Sequence, residues 1–186
     1  MQKEISANNL KEAKGALERL GIPFCLFLGT ALGAYRDHDF CPGDIDDIDI
    51  AIHKSSYIRF LEIIKAFEDI GFKFEHHFVM PDFIAPELSF TKEVDGHTYK
   101  IDIFFITPYK GKMAWRFYTV DFQGNFQTRM VDDFFQNFDK VEFYGEEYSI
   151  PGPIEKYLEE NYGPNWRTPI HRDNWDWTKD NKLPYE

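Results

Sequence analysis

The apolar positions of this chain change period several times, and each change marks an element. Between Asn8 and Leu20, Leu10, Ala13, Leu17 and Leu20 recur at helical spacing with Gly21 and Pro23 behind them, which predicts a first helix and its stop. Phe24-Cys25-Leu26-Phe27-Leu28 is short and continuously apolar before Gly29, the mark of a buried strand. Thr30 to Tyr35 then reads as a short helix that Thr30 caps. In Asp47-Ile48-Asp49-Ile50-Ala51-Ile52 the alternation is strict: with Ile48, Ile50 and Ile52 toward a core, Asp47 and Asp49 share the opposite face. A helix follows from Ser55 or Ser56 to Asp69, carried by Phe60, Ile64 and Phe67 and closed by Gly71.

Leu88 to Val94 and His97 to Ile106 read as two strands joined by Asp95-Gly96, a strong hairpin signal, and the second strand carries Asp102. Further strands are predicted at Trp115 to Phe122, Lys140 to Tyr144 and Glu147 to Ile150, and a last helix at Pro153 to Tyr162 before Gly163 and Pro164. The order of elements, without repeat or low-complexity tract, predicts an α/β (α+β) fold in a single domain over residues 1–186. Residues 151–186 form its C-terminal helix and an aromatic tail packed on it.

Composition narrows the partners. A chain of 186 residues can bury a real core, and an aromatic share of 18% with 19 Phe points to packing by large side chains. Against 32 Asp and Glu stand 21 Lys and Arg, a net charge of -11 with no basic run, which excludes long nucleic acid as a partner. A small nucleotide bridged by metal cations stays compatible, because the cations invert the local charge. Met1 to Leu20 lacks the apolar stretch of a signal peptide or membrane span, so a soluble, cytoplasmic protein is expected. Cys25 and Cys41 make neither a disulfide framework nor a zinc ligand set and read as buried free thiols.

Asp44, Asp46, Asp47 and Asp49 crowd into one short stretch, an arrangement that repulsion makes costly unless cations or water neutralise it. A solvated acidic loop is the plain reading for such a run. The start of an otherwise apolar strand is a different place, and two carboxylates at i and i+2 there lie about 6.5–7 Å apart at their Cα atoms, able to converge on shared metal. Hard oxygen ligands select magnesium or manganese. A calcium loop starting at Asp44 fails, because its third ligand position falls on Ile48 and its turn glycine on Asp49. Asp102, between Ile101 and Ile103, supplies a third carboxylate. Upstream, Gly29 and Thr30 lie between a strand and a helix, where free N–H groups receive phosphate oxygens, and Arg36 ends that stretch as a phosphate partner or a surface charge.

Leu28-Gly29-Thr30, then Asp47-Ile48-Asp49, then Asp102 on a later strand resembles the nucleotidyltransferase superfamily. More narrowly, Gly29-Thr30-Ala31-Leu32-Gly33-Ala34-Tyr35-Arg36 with Phe40-Cys41-Pro42 is similar to the LicD/fukutin family of phosphotransferases, as are Ile150-Pro151 and the stretch from Tyr157 through Trp166 to Pro169. The resemblance implies a nucleotidyltransferase-like mixed β-sheet flanked by helices. It also implies transfer of a phospho-alcohol, of the phosphocholine or ribitol phosphate type, from a CDP-activated donor to a glycan hydroxyl, with CMP leaving. On it, Asp47, Asp49 and Asp102 hold Mg2+ or Mn2+, Gly29 and Thr30 form the phosphate-side turn, and Arg36 is a charge partner near the acidic strand. This chain departs from the family at Gly43-Asp44-Ile45-Asp46, where the family usually has Trp followed directly by consecutive acids.

The chemistry is coherent with the residues: phosphoryl transfer needs charge neutralisation and alignment, which two metals about 3.5–4 Å apart supply. Asp102 is then a candidate general base. Two other functions fit the same residues, a nucleotidyltransferase placing an NMP on a small molecule, protein or RNA end, and a catalytically silent nucleotide- or partner-binding domain. Parity separates Asp47 and Asp49 from Asp44 and Asp46: only the first pair faces away from the core isoleucines, while Asp46 can assist from the loop. Trp166, Trp175, Trp177 and Tyr185 beside Arg167, His171 and Arg172 read as an aromatic tail, with stacking on a base or quaternary ammonium as the other reading. His76 and His77 read as structural or surface residues.

Overall fold

A computed structural model describes residues 1–78, 87–118 and 126–174. The first helix, α1, runs over Gln2–Arg19, one and a half turns longer at its start than the apolar pattern alone predicts. The extension is amphipathic through small polar residues: Ser6 and Asn9 are buried beside Leu10, Ala13, Ala16 and Leu17. Ser6 satisfies its hydroxyl by donating to the Ile45 carbonyl at 2.5 Å, so the helix start is tied to the acidic loop.

Strand β1 is only Phe24–Leu26, and α2 begins at Leu28 and runs to Arg36. The predicted strand therefore ends two residues early. Phe27 is the extended residue before the helix, no side chain caps α2, and Leu28 takes the left-handed φ of +39°. Gly29 and Thr30 lie within the first turn of the helix rather than in a loop before it. Strand β2 occupies Asp47–His53 with Ile48, Ile50 and Ile52 buried, as the alternation requires. A 3-10 helix at Lys54–Arg59 precedes α3, Phe60–Glu68, so the predicted single helix is two pieces.

Strand β3, Lys73–Phe78, leads into the described part of β4, Glu87–Val94, and β5, His97–Tyr109. The β4–β5 turn takes left-handed φ at both Asp95 (+52°) and Gly96 (+76°), as a two-residue hairpin loop demands. Strands β6, Lys112–Tyr118, and β7, Phe126–Val131, follow; the end of the predicted strand at 119–122 lies outside the described residues, and β7 had no strand assigned from sequence. Strands β8, Asp139–Phe143, and β9, Glu146–Ile150, form a separate hairpin, and α4 is Ile154–Tyr162. Among the described residues no helix is long and apolar enough to cross a membrane.

The main sheet has the order β1-β2-β5-β4-β3, with β6 on the far half of β5 and β7 on β6. Only β2 and β5 are parallel among its pairs, so the sheet is mixed. One face carries Ile48, Ile50, Ile52, Leu88, Phe90, Ile101, Ile103 and Phe105, all buried, and packs toward the helices: Phe67 of α3 stacks on Phe90 at 4.5 Å between centroids. At about 1.5–3 kcal/mol for each such side chain, this face fixes the strand register. The opposite face is divided. Its Ala51 and Phe104 level is buried, and Phe27 there meets Phe104 at 5.5 Å, Trp115 at 5.2 Å and Tyr157 at 6.0 Å. One pleat back along β2 and β5 the same face turns acidic.

Candidate active site

Register places the acidic residues in rows. Asp49 is the Cα partner of Asp102 across the parallel β2–β5 pair, Ser89 of β4 faces Asp102 from the other side, and His76 of β3 faces Ser89. One pleat back, Asp47 is level with Lys100 and Thr91; one pleat forward, Ala51 is level with Phe104 and Glu87. The site thus sits where this face passes from aromatic packing to charge. Carboxylate oxygens of Asp47, Asp49 and Asp102 lie within 4.8 Å of one another.

This donor set suits a hard divalent cation. Ligands of one magnesium ion at about 2.1 Å stand about 3–4.2 Å apart, a spacing the triad meets with at most a small movement of its side chains. All-oxygen chemistry favours magnesium or manganese over softer metals. Two of the three aspartates are held away from the charged form. Burial above all, then Asp47, Asp44 and Asp102, pushes the Asp49 carboxyl well above the carboxylate range. Burial also raises Asp102, against which Lys100 and Ser89 work. Ser89 Oγ donates to Asp102 Oδ1 at 2.6 Å and Lys100 Nζ to Oδ2 at 2.5 Å, so both oxygens of this carboxylate are engaged. Glu87 is pushed up to about 8, by burial first and then by Asp102, while Lys100 opposes.

The start of α2 clamps the backbone of Asp49. Asp49 N–H donates to Thr30 Oγ1 at 2.9 Å, and the Asp49 carbonyl accepts from Phe27 N–H at 3.0 Å. Thr30 therefore positions a metal-site residue and does not cap its helix, which corrects the expectation from sequence. Gly29 packs against the cluster: a Cβ there would collide with Asp44 Oδ2 and reach 3.7 Å from Asp49 Oδ2. Both residues lie against the aspartates, and they do so from the first turn of the helix rather than from a turn before it.

Asp44 and Asp46 separate. The Asp44 carboxylate enters the corner between Gly29 and Asp49, whereas Asp46 turns outward to His97 Nε2 at 2.9 Å. The bonds that Arg36 makes lead away from the acidic strand. It grips Asp37 through two bonds of 2.8 and 2.6 Å, donates to the Trp166 carbonyl at 2.9 Å and reaches Cys41 Sγ at 3.7 Å, tying α2 to the segment after α4. Cys41, its thiol pushed up to about 12 by burial, also donates to the Gly29 carbonyl at 3.4 Å, and Cys25 is buried, so both thiols are structural. His77 bonds Tyr57 Oη at 3.1 Å and stacks on Phe60, as a structural residue does. Trp166 is buried beside Tyr35, with Arg167 over its ring at 4.2 Å, while Trp175, Trp177 and Tyr185 lie outside the described residues.

Sequence reading did not single out Lys100, Ser89 or Glu87 as site residues, although all three were legible. Lys100 shares its face with Asp102 by parity, and the two-residue turn at Asp95-Gly96 sets Ser89 opposite Asp102 and Glu87 opposite Phe104. Tyr157 and Tyr162 of α4 carried no such signal. Burial raises both phenols, and Asp49 acts on each, which brings α4 to the wall of the site; Tyr157 Oη accepts from Leu28 N–H at 3.4 Å.

A mixed sheet with a strand-borne aspartate pair, a third aspartate on the parallel neighbour and a short helix against them defines a nucleotidyltransferase-type site. Residues 21–152, which include every strand from β1 to β9, match the family described as LicD/FKTN/FKRP, nucleotidyltransferase domain. The chain belongs to that family. It is 33% identical over 175 residues to the ribitol-5-phosphate transferase FKTN of Macaca fascicularis, across 91% of this chain and 34% of that protein. To the ribitol-5-phosphate transferase FKTN of Homo sapiens it is 32% identical over 175 residues, with the same coverage. To that of Mus musculus it is 33% identical over 173 residues, 90% of this chain and 34% of the relative. The chain spans about a third of the length of the curated relatives it matches.

Proposed function

We propose that this chain is a metal-dependent phosphotransferase that moves a phospho-alcohol, ribitol phosphate or phosphocholine in type, from a CDP-activated donor to a glycan hydroxyl, with CMP released. The observation that carries the reading is the meeting of Asp47, Asp49 and Asp102 oxygens within 4.8 Å on the solvent-side end of a buried sheet face. The activity for which its relatives are named, ribitol-5-phosphate transfer, agrees with it. Magnesium or manganese held by the triad would neutralise the phosphate oxygens and align the leaving group.

The chain's own residues do the rest. Thr30 and Phe27 fix the Asp49 backbone, Ser89 orients Asp102, and Gly29 leaves room for Asp44 beside the pair. The aromatic level formed by Phe104, Phe27 and Tyr157 closes the site from behind. To act as a general base Asp102 would have to give up one of the hydrogen bonds that Ser89 and Lys100 donate to its two oxygens.

The test is product analysis with CDP-ribitol and CDP-choline under magnesium, with and without a glycan acceptor. Metal-dependent, acceptor-dependent CMP release supports the reading. Pyrophosphate released from a nucleoside triphosphate would move the chain to nucleotidyl transfer, and nucleotide binding without turnover of any donor would make it a silent binding domain.

A further inference from the structure

Lys100 stands within the acidic row and pairs with one of its carboxylates. Geometry gives the reason. Its Cα is level with Asp47 and Thr91, its side chain emerges on the site face, and its ammonium runs forward along β5 to Asp102 Oδ2. Asp102 has a side chain 8% exposed while that of Lys100 is 38% exposed, so a nearly buried carboxylate is neutralised by a cation still in touch with solvent.

That arrangement conflicts with permanent pairing. A divalent cation at the triad needs an oxygen of Asp102, and Ser89 already occupies Oδ1. A monovalent cation fixed on Oδ2 would then both contest the ligand and repel the ion. From this geometry, and resting on the phosphotransferase reading above, we infer that Lys100 is an exchangeable counter-ion: it holds Asp102 in the metal-free protein, yields that carboxylate to a divalent cation, and turns its ammonium to the diphosphate of the nucleotide donor. The flexible four-carbon stem lets the charge swing while the backbone stays in the sheet. With the aspartates neutralised, a bound diphosphate brings new negative charge to this face for the ammonium to meet. Lys100 is thus a positioning and donor-binding residue that protects the empty site.

The inference makes the unusual demand that removing a cation improves one affinity and harms another. Manganese binding, followed by its electron paramagnetic resonance signal, should be roughly fivefold tighter in K100M than in the wild type, the scale of a partly exposed ion pair. Binding of CDP in the presence of saturating magnesium should be roughly tenfold weaker in the same variant, the loss of one charge-assisted contact. K100R, which keeps the charge, should leave manganese binding within about twofold of wild type. If K100M does not fold, the wild type alone decides: in NMR spectra of the lysine ammonium groups, the Lys100 Nζ signal should move on adding magnesium and again on adding CDP. Manganese binding unchanged or weakened in K100M, or a Lys100 signal that ignores magnesium, overturns the exchange while leaving the phosphotransferase reading intact. A wild type that binds no manganese at all overturns both.

Discussion

Asp49 and Asp102 stand at the same level of two parallel neighbouring strands, so the two carboxylates arise from one row of the sheet and share one environment. Their closeness is unfavourable without a cation, and relief of that repulsion is measurable. Asp49→Asn should stabilise the metal-free protein by about 1–2 kcal/mol while abolishing magnesium-induced stabilisation and turnover. Asp47→Asn and Asp102→Asn should likewise abolish turnover. Thermal melts with EDTA and with magnesium check this; a magnesium shift retained in Asp49→Asn would remove that residue from the ligand set.

Asp46 provides the control. It faces His97 rather than the triad, so Asp46→Asn should bind manganese within about twofold of wild type. A loss as large as that of Asp49→Asn would place the metal in the loop instead.

The two glycines of α2 should respond differently to alanine. At Gly33 a new Cβ would lie 2.5 Å from the Asp39 carbonyl and 2.8 Å from the Cys41 nitrogen, both backbone atoms, so Gly33→Ala should cost about 2–3 kcal/mol in urea melts. At Gly29 the obstacle is the end of the Asp44 side chain, which can swing aside. Gly29→Ala should therefore keep most of its stability and lose metal affinity. Equal destabilisation by both would mean that Asp44 is held rigidly.

Glu87 gives the metal-free protein a pH signature. Its carboxyl titrates near 4.5 when unfolded and is pushed up to about 8 when folded, so the unfolded state binds fewer protons between those values. Its contribution is fully present below about pH 4.5 and lost as pH rises toward 8, on the order of a few kcal/mol. Urea melts with EDTA at pH 6 and 8.5 should show a loss in wild type that is much smaller in Glu87→Gln. An identical pH slope in both proteins would show that Glu87 is ionised throughout.

Arg36→Ala should act through structure. Its guanidinium holds the Trp166 carbonyl, and that tie joins α2 to the segment following Gly163. Removal should cost about 1–2 kcal/mol and speed proteolysis beyond residue 163, with metal affinity unchanged. Loss of manganese binding at wild-type stability would return Arg36 to the site.

Much of this was legible in the chain. Ile48, Ile50 and Ile52 gave the strand and its acidic face because burial on one side leaves only one parity, and Asp95-Gly96 gave the hairpin because only a two-residue turn suits that pair. The meeting of the three carboxylates followed from both. What escaped depends on contacts distant in sequence. Leu28 looked like the end of an apolar strand, yet Phe27 is held by Asp49 and the chain turns there into a helix, which moves Thr30 from cap to clamp. Arg36 looked like a phosphate ligand since nothing local reveals that Trp166, 130 residues later, presents its carbonyl. The early start of α1 has the same origin, because the Ser6 partner is a loop carbonyl.

The tight turn between β4 and β5 has a bearing on how related chains can vary. It fixes which residues of β4 look onto Asp102, so one residue inserted in β4 between Ser89 and the turn would exchange Ser89 and Glu87 for their apolar neighbours Leu88 and Phe90 across the whole row. Two residues in β4 alone would restore the alternation but set Thr91 rather than Ser89 opposite Asp102, so only one residue added to each strand lengthens the arm with the row unchanged. Growth at this tip is thus counted in twos: natural length variants should differ there by even numbers or absorb an odd residue in a bulge, and an odd insertion without one should cost the site before it costs the fold.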